Sequence, residues 1–180
     1  MLGVNGTSDC TFKKHCEDPT FNMCAVQPQE QTCQFSNYTE ALQMGYRWYH
    51  ARSITPAYPF GHGLTYTSFH YDQLEVAPIS LLVSFTVTNS GSHPAAEVAQ
   101  LYLTYPPSAG TGEPPKQLKA FEKTPVLSPG ESTTVVVQLT DRDFSTWSSD
   151  VHGWVGVKGG FVLDVGASSA DTRIHTMVTR

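Results

Sequence analysis

Apolar and polar residues alternate regularly along the second half of the chain. The first run has apolar side chains at every second position: Leu81, Val83, Phe85 and Val87. This period of two is typical of a strand with one buried face, and the turn-forming residues 89–91 end it. The same period returns over residues 97–105, 133–139 and 161–165, and more weakly over 117–123 and 172–178. The alternation therefore predicts a series of short strands.

These strands are separated by turn residues, and no 3.6-residue helical period lies between them. This arrangement is typical of an antiparallel β-sandwich rather than of a parallel sheet with crossover helices. The immunoglobulin variant with a Cys-Trp-Cys core is excluded because residues 71–180 contain no cysteine. We therefore expect an all-β, fibronectin type III-like (immunoglobulin-like) sandwich of about seven strands over residues 71–180.

Residues 37–70 are rich in aromatic side chains and are interrupted by proline and glycine. A helix is not expected beyond Ala51, and so many rings should not be left in water. We interpret this stretch as an aromatic linker that lies across another surface or packs onto the following domain. The candidate junction residues are Tyr46, Arg47, Trp48, Phe60, His62 and Tyr66. Arg47 is expected to pair with a carboxylate across the junction.

The first 36 residues form a loop-rich segment that contains every cysteine of the chain: Cys10, Cys16, Cys24 and Cys33. The spacing lacks the Cys-x2-4-Cys pair of a zinc site, so two disulfides are favoured over a metal or free thiols, with three connectivities open. Asn5 and Asn37 begin glycosylation sequons. These features predict a secreted or extracellular protein. Because residues 1–6 do not resemble a signal peptide, we expect the signal upstream; the alternative is a cytosolic protein with reduced cysteines.

Composition narrows the range of partners. Of the 180 residues, 39% are hydrophobic and the net charge is −5, with 11 Lys and Arg against 16 Asp and Glu. A chain without a basic stripe has no electrostatic attraction for nucleic acid, and no apolar run approaches the roughly 18–20 residues needed to cross a membrane. We predict no nucleic-acid partner, no membrane span and no cofactor.

Acidic residues offer little for catalysis. Asp141 and Asp143 are the closest carboxylate pair, but a strand-end turn is the favoured interpretation because Asp there bonds its own backbone. A calcium loop starting at Asp141 fails because Thr146 and His152 stand where glycine and glutamate are required. No metal site is predicted.

Two other groups of residues are candidate sites. Ser168 or Ser169 with Asp171 and His175 could form a nucleophilic trio, but no Gly-x-Ser-x-Gly elbow surrounds either serine. Trp147 and Trp154 could stack on sugar rings, with core or edge packing as the alternative. No catalytic residue is predicted.

Two ordered groups of short motifs extend from residue 38 to the end of the chain. The first is Gly45-Tyr46-Arg47-Trp48-Tyr49 with Gly61-His62-Gly63-Leu64-Thr65-Tyr66-Thr67. The second includes Val87-Thr88-Asn89-Ser90-Gly91, Ala96-Glu97-Val98-Ala99-Gln100-Leu101-Tyr102-Leu103, Leu127-Ser128-Pro129-Gly130-Glu131 and Val165-Gly166-Ala167-Ser168-Ser169. Together they resemble the end of the second catalytic domain and the C-terminal fibronectin type III-like domain of family 3 glycoside hydrolases, the β-glucosidases and β-xylosidases.

The resemblance implies a non-catalytic C-terminal domain that braces the catalytic domains of a secreted enzyme. Such a parent would hydrolyse terminal β-linked glucose or xylose with two carboxylates supplied by its other domains. No catalytic residue carries over to this chain, which is expected to be inactive alone. Its expected partners are those catalytic domains and β-linked oligosaccharide. The alternative is a free-standing carbohydrate-binding or protein-interaction module.

Overall fold

The computed structural model describes residues 39–107 and 112–180. Within these ranges the elements are α1 (Tyr46–Ala51), β1 (Phe69–Val76), β2 (Leu82–Asn89), β3 (Val98–Thr104), β4 (Gln117–Lys123), β5 (Ser132–Gln138), a 3-10 turn (Asp141–Phe144), β6 (Ser145–Ser148), β7 (Gly153–Gly156), β8 (Gly160–Ser168) and β9 (Asp171–Thr179). All of them belong to the unit Leu42–Arg180. The predictions for Asn5, Cys10, Cys16, Cys24, Cys33 and Asn37 lie outside the described residues.

Seven of these strands form two antiparallel sheets. The order is β1-β2-β5 in the three-stranded sheet and β4-β3-β8-β9 in the four-stranded sheet, while β6 and β7 pair separately as a hairpin. The sheets pack face to face with their alternating apolar side chains between them. The predicted all-β, fibronectin type III-like sandwich of about seven strands is confirmed.

The core between the sheets includes the apolar residues that the four clear runs of alternation placed on one face, together with Phe69, Tyr71, Leu127, Phe144 and Val157, which lie outside those runs. Those predicted members are all buried: Leu81, Val83, Phe85, Val87, Ala99, Leu101, Leu103, Val135, Val137, Leu139, Phe161, Leu163 and Val165. Strand register brings them together, with Phe85 opposite Val135 and Leu103 opposite Leu163. Burying each large aliphatic or aromatic side chain stabilises the fold by about 1.5–3 kcal/mol.

Two features differ from the sequence-based expectation. Strand β1 was not predicted, because a bulge between Asp72 and Glu75, with Gln73 at a φ of 53°, interrupts its alternation. The β6–β7 hairpin was not predicted either, because four residues per strand are too few to establish a period.

A hydrogen bond joins strand β1 of one sheet to the residue that precedes β3 of the other sheet. The hydroxyl of the buried Tyr71 in β1 donates to Glu97 Oε1 at 2.8 Å, just before β3. Burial raises the pKa of Glu97, against the opposing effects of this hydrogen bond and of Arg173. Burial also raises the pKa of Tyr71, with Glu97 adding to the shift, so the phenol stays protonated and remains a donor.

Replacing Glu97 with glutamine should change how stability depends on pH. A carboxyl whose pKa is raised in the folded state favours folding when protonated, and this contribution is lost as the pH rises through the folded pKa. Glu97→Gln keeps the acceptor for Tyr71 but cannot ionise, so its stability relative to the parent should increase as the pH rises above 4.5, the ordinary value. Urea unfolding at a series of pH values measures this difference.

The exposed Glu122→Gln in β4 is the matched control, and its difference from the parent should stay small across the range. A Glu97→Gln difference that is flat with pH, or that decreases as the pH rises, would contradict the assignment.

Candidate functional site: an aromatic docking face and a tryptophan hairpin

The aromatic segment, defined as residues 42–66, covers part of the outer face of the four-stranded sheet. The Tyr46 ring on α1 stacks on Phe60 with centroids 4.7 Å apart and meets Tyr102 of β3 edge-on at 6.0 Å. The backbone N–H of Leu118 in β4 donates to Tyr46 Oη at 2.7 Å. Part of the aromatic segment therefore packs onto the sandwich. This is one of the two predicted arrangements, in which the stretch packs onto the domain that follows it.

A polar network beneath these rings fixes the chain at Gly61. The Tyr102 hydroxyl donates to Gln100 Oε1 at 2.6 Å, and Gln100 Nε2 donates to the carbonyls of Gly61 at 3.0 Å and Ala167 at 2.7 Å. Gly61 has a φ of +79°, and a Cβ there would collide with the Gln100 side chain. The glycine is required both for the backbone conformation and for this close approach.

Lys116 contributes a buried charge to the same face. Its Nζ donates to Thr172 Oγ1 at 2.8 Å, lies 3.5 Å from Asp164 Oδ2, and is 5.0 Å from the Tyr102 ring centroid. A carboxylate, a hydroxyl and an aromatic face together compensate the buried ammonium. These partners connect the segment before β4 to β8 and β9, so the group strengthens the face on which Tyr46 and Phe60 rest.

Sequence reasoning missed this network because it expected one buried face for β3. Gln100 and Tyr102 are also buried, on the side that faces away from the core. A signal was present, since a tyrosine and a glutamine at the outward positions of a strand can hydrogen-bond to a covering segment. The alternation alone could not show that such a segment was there.

The predicted junction residues separate into two sets. Tyr46 packs on the sheet and Phe60 stacks on Tyr46, although Phe60 stays about half exposed. Tyr66 is almost fully exposed, and His62 lies beside Tyr58 with ring centroids 5.5 Å apart. Two guanidinium groups lie over rings of α1: Arg47 is 5.8 Å from the Tyr46 centroid and Arg52 is 3.5 Å from that of Trp48. The expected carboxylate partner of Arg47 across the junction stays a prediction.

The tryptophan hairpin, defined as β6 and β7, carries the two residues that were candidates for sugar stacking. Trp147 and Trp154 are direct cross-strand partners, with centroids 5.7 Å apart and ring planes at 75°. The guanidinium of Arg142 lies 4.4 Å from the Trp154 centroid. Both indoles are about half exposed, so they do not fill the sandwich core.

The predicted turn at Asp141 and Asp143 agrees with the geometry. One carboxylate oxygen of Asp143 accepts hydrogen bonds from both the N–H and the hydroxyl of Thr140 at 2.8 Å, and Asp141 pairs with Arg180. Both carboxylates are therefore engaged at the 3-10 turn and do not face each other across a cleft.

The serine, aspartate and histidine trio is also not assembled as a site. Asp171 Oδ1 is 2.6 Å from Arg173 Nε, and His175 lies opposite Asp164 in the β8–β9 pair. Over residues 39–107 and 112–180, no group of three His, Cys, Asp or Glu side chains is placed to hold a metal ion. In the same part of the chain, no helix is long and apolar enough to span a membrane.

The sandwich, with its covered outer face, defines a class of protein domain. The sequence profile of the fibronectin type III-like domain matches residues 97–169, so this chain contains such a domain. The profile covers β3 to β8, including Gln100, Tyr102, Lys116 and both tryptophans of the hairpin.

Several known β-glucosidases contain a region similar to this chain. Beta-glucosidase cel3A from Pyricularia oryzae is 41% identical over 153 residues, which cover 77% of this chain and 19% of that protein. The solved β-glucosidase 3B from Thermotoga neapolitana is 34% identical with a TM-score of 0.77, covering 86% of this chain and 22% of that one. The GH3 β-glucosidase from Bifidobacterium adolescentis is 34% identical with a TM-score of 0.74, over 80% of this chain and 22% of that one.

The predicted resemblance is confirmed: the chain matches the C-terminal part of family 3 β-glucosidases. It spans about a fifth of the length of the curated relatives that it matches. The other four fifths of those enzymes have no counterpart in these 180 residues.

Proposed function

We propose that this chain is a non-catalytic accessory region of a secreted β-glucosidase-type glycoside hydrolase, in which it braces the catalytic domains. The parent activity would be hydrolysis of terminal β-linked glucose or xylose. The match to a fifth of such enzymes supports this role, and the engaged carboxylates of Asp141 and Asp143 are consistent with it. Secretion, disulfides at the four cysteines and glycosylation at the two sequons remain predictions within this proposal.

The observation that carries the proposal is the outward side of the aromatic segment. Phe60 and Tyr46 attach the segment to the sandwich, but several large apolar side chains of the same stretch are exposed: Leu42, Met44, Tyr49, Ile54, Tyr58, Leu64 and Tyr66. So many exposed large apolar side chains within one short stretch of the chain are typical of an interaction site. A segment held on one side and apolar on the other is suited to contact a second domain.

The catalytic body is the occupant that fits this surface best. The segment lies directly before the sandwich in sequence, and in the relatives this region is part of one longer chain. Domains joined in one chain commonly bury an interface of about 600–1,500 Å² between them. An aromatic surface next to the domain boundary would form such an interface without any change in the sandwich.

Leu64→Ser should destabilise the protein only when a catalytic body is attached. In this chain Leu64 is 91% exposed, so the change should affect the isolated chain little. We would replace the matching fifth of cel3A with this chain and measure the thermal and urea unfolding of the chimera. If the body covers Leu64, the substitution should lower the free energy of unfolding there by about 1.5–3 kcal/mol.

Ile79→Ser is the matched control, because Ile79 is 98% exposed but lies in the turn between β1 and β2, away from the aromatic segment. It should have little effect in either context. Equal and small effects of both substitutions in the chimera would overturn the proposed bracing contact. Turnover of an aryl β-glucoside by the purified chain would overturn the non-catalytic role.

A further inference from the structure

The tryptophan hairpin exposes two indole rings that are not part of the core of the sandwich. Trp147 is 54% exposed and Trp154 is 48% exposed. The aromatic residue of this region that is buried in the core is Phe144, which packs edge-on against Phe161 with ring centroids 5.1 Å apart. Two large rings held in water at one place require an explanation other than core packing.

The base of the hairpin is held firmly in place. The Tyr105 hydroxyl lies 2.8 and 2.9 Å from the carbonyl oxygens of Asp143 and Ser145, between which it shares its hydrogen. Thr146 Oγ1 donates to Glu113 Oε1 at 2.6 Å. These bonds tie the hairpin to the end of β3 and to the segment before β4. The rings are therefore presented in a fixed geometry, which lowers the entropy lost when a ligand binds.

The chemistry around the rings combines flat apolar faces with hydrogen-bond donors. Arg142 stacks on Trp154, and a stacked guanidinium keeps its N–H groups directed outward in its own plane. The turn after β6 exposes Ser149 and Asp150, whereas the Ser148 hydroxyl accepts from the backbone N–H of Val151. A sugar ring has a complementary surface, because its C–H groups can stack on an indole while its hydroxyls accept from arginine and bond to serine and aspartate.

We infer that the tryptophan hairpin is a binding site for a soluble β-linked glucose oligosaccharide, separate from the aromatic segment. The 75° angle between the indole planes favours a short or twisted chain over the flat surface of a crystalline polysaccharide. The choice of β-linked glucose rests on the proposed function, whereas the choice of a sugar rests on the rings and Arg142.

A protein partner fits this surface less well. Stable protein interfaces bury about 800 Å² on each side, with 20–30 residues from each partner. The hairpin has strands of four residues, and its turn holds Ser149, Asp150 and His152 beside a single exposed valine, Val151. Two rings and one arginine match the size of one or two sugar residues.

The test uses the indole N–H signals of the whole chain in a two-dimensional NMR spectrum. The chain contains three tryptophans, and Trp48, half-buried on α1 beneath Arg52, serves as the internal reference. Cellopentaose is titrated to millimolar concentration, with maltopentaose as the α-linked comparison. The proposal expects saturable shifts of the Trp147 and Trp154 signals, a constant Trp48 signal, and weaker binding of maltopentaose.

Trp147→Ala should weaken binding about tenfold or more, the equivalent of about 1.4 kcal/mol, by removing one stacking face. Phe121→Ala is the matched control, because Phe121 is 66% exposed on β4 and should leave the affinity unchanged. Unmoved Trp147 and Trp154 signals at millimolar sugar, or equal affinity in Trp147→Ala, would overturn the inference. These outcomes do not depend on the chimera, so the two proposals can fail separately.

Discussion

Phe161→Ala is expected to lower the free energy of unfolding by about 3–5 kcal/mol, the range for an aromatic side chain removed from a packed core. Phe161 is fully buried on the inner strand β8. It packs edge-on against Tyr105 at 5.2 Å and against Phe144 at 5.1 Å, so alanine would leave a cavity and break two aromatic contacts. Urea unfolding monitored by circular dichroism measures the loss.

The same substitution should also loosen the tryptophan hairpin. Phe144 ends the 3-10 turn directly before β6, and the Tyr105 hydroxyl supports the hairpin base. The indole signals of Trp147 and Trp154 should therefore broaden or shift in Phe161→Ala, while that of Trp48 should not. Phe121→Ala, on an exposed position, should cost only about 0.5 kcal/mol. A similar cost for the two substitutions would contradict the assignment of Phe161 to the core.

Asn89→Asp is expected to cost about 4 kcal/mol or more. Asn89 is fully buried, and its Nδ2 donates to the carbonyls of His93 and Leu127, each at 2.8 Å. Its Oδ1 accepts from Thr67 Oγ1 at 2.6 Å and from the N–H of Gly91 at 3.1 Å. A carboxylate cannot donate, so aspartate would place a buried negative charge against two carbonyl oxygens, and each unsatisfied buried group costs about 1–3 kcal/mol.

Asn89→Ala separates the effect of charge from the loss of hydrogen bonds. Alanine removes all four hydrogen bonds, including the two accepted from Thr67 and Gly91 that aspartate can keep. It buries no charge, however, so it should still cost less than aspartate, about 2–3 kcal/mol. Ser90→Ala is the neighbouring control, because the Ser90 hydroxyl makes one exposed bond to the Ser68 carbonyl. Urea unfolding of the three variants gives the order. A cost for Asn89→Asp equal to or below that of Asn89→Ala would contradict the donor role of Nδ2.

Only part of the role of Asn89 could be predicted from the local sequence motif. The stretch at residues 89–91 was predicted as a turn, and the chain does leave β2 there. Two of its side-chain partners, Gly91 and His93, are local, but the side chain also bonds Thr67 and the Leu127 carbonyl, which is 38 residues away in sequence. A local propensity can predict the turn but not the distant carbonyl that the side chain satisfies.

For the candidate sites too, the sequence predicts which residues are involved but not how they are arranged. Exposed aromatic segments and a pair of tryptophans could be selected from the sequence, because residue type alone marks them as costly to leave in water. Residue type alone does not predict how these side chains are arranged in space. Tyr46 packs on the sheet and carries Phe60, while Leu64 and Tyr66 are exposed, and the chain comes close to Gln100 only because residue 61 is a glycine.

The strands of the sandwich and the residues of its core follow from the sequence, because the period of two is a local property of an extended chain with one buried face. Four runs of alternation were sufficient to place most of the core from Leu81 to Val165, but not Leu127, Phe144 and Val157, which lie outside the runs. The partners of the buried polar groups follow only from packing. Lys116 meets Thr172 across 56 residues, and Gln100 meets the Ala167 carbonyl across 67. Such contacts exist only after the sheets and the covering segment have come together, so no local pattern encodes them.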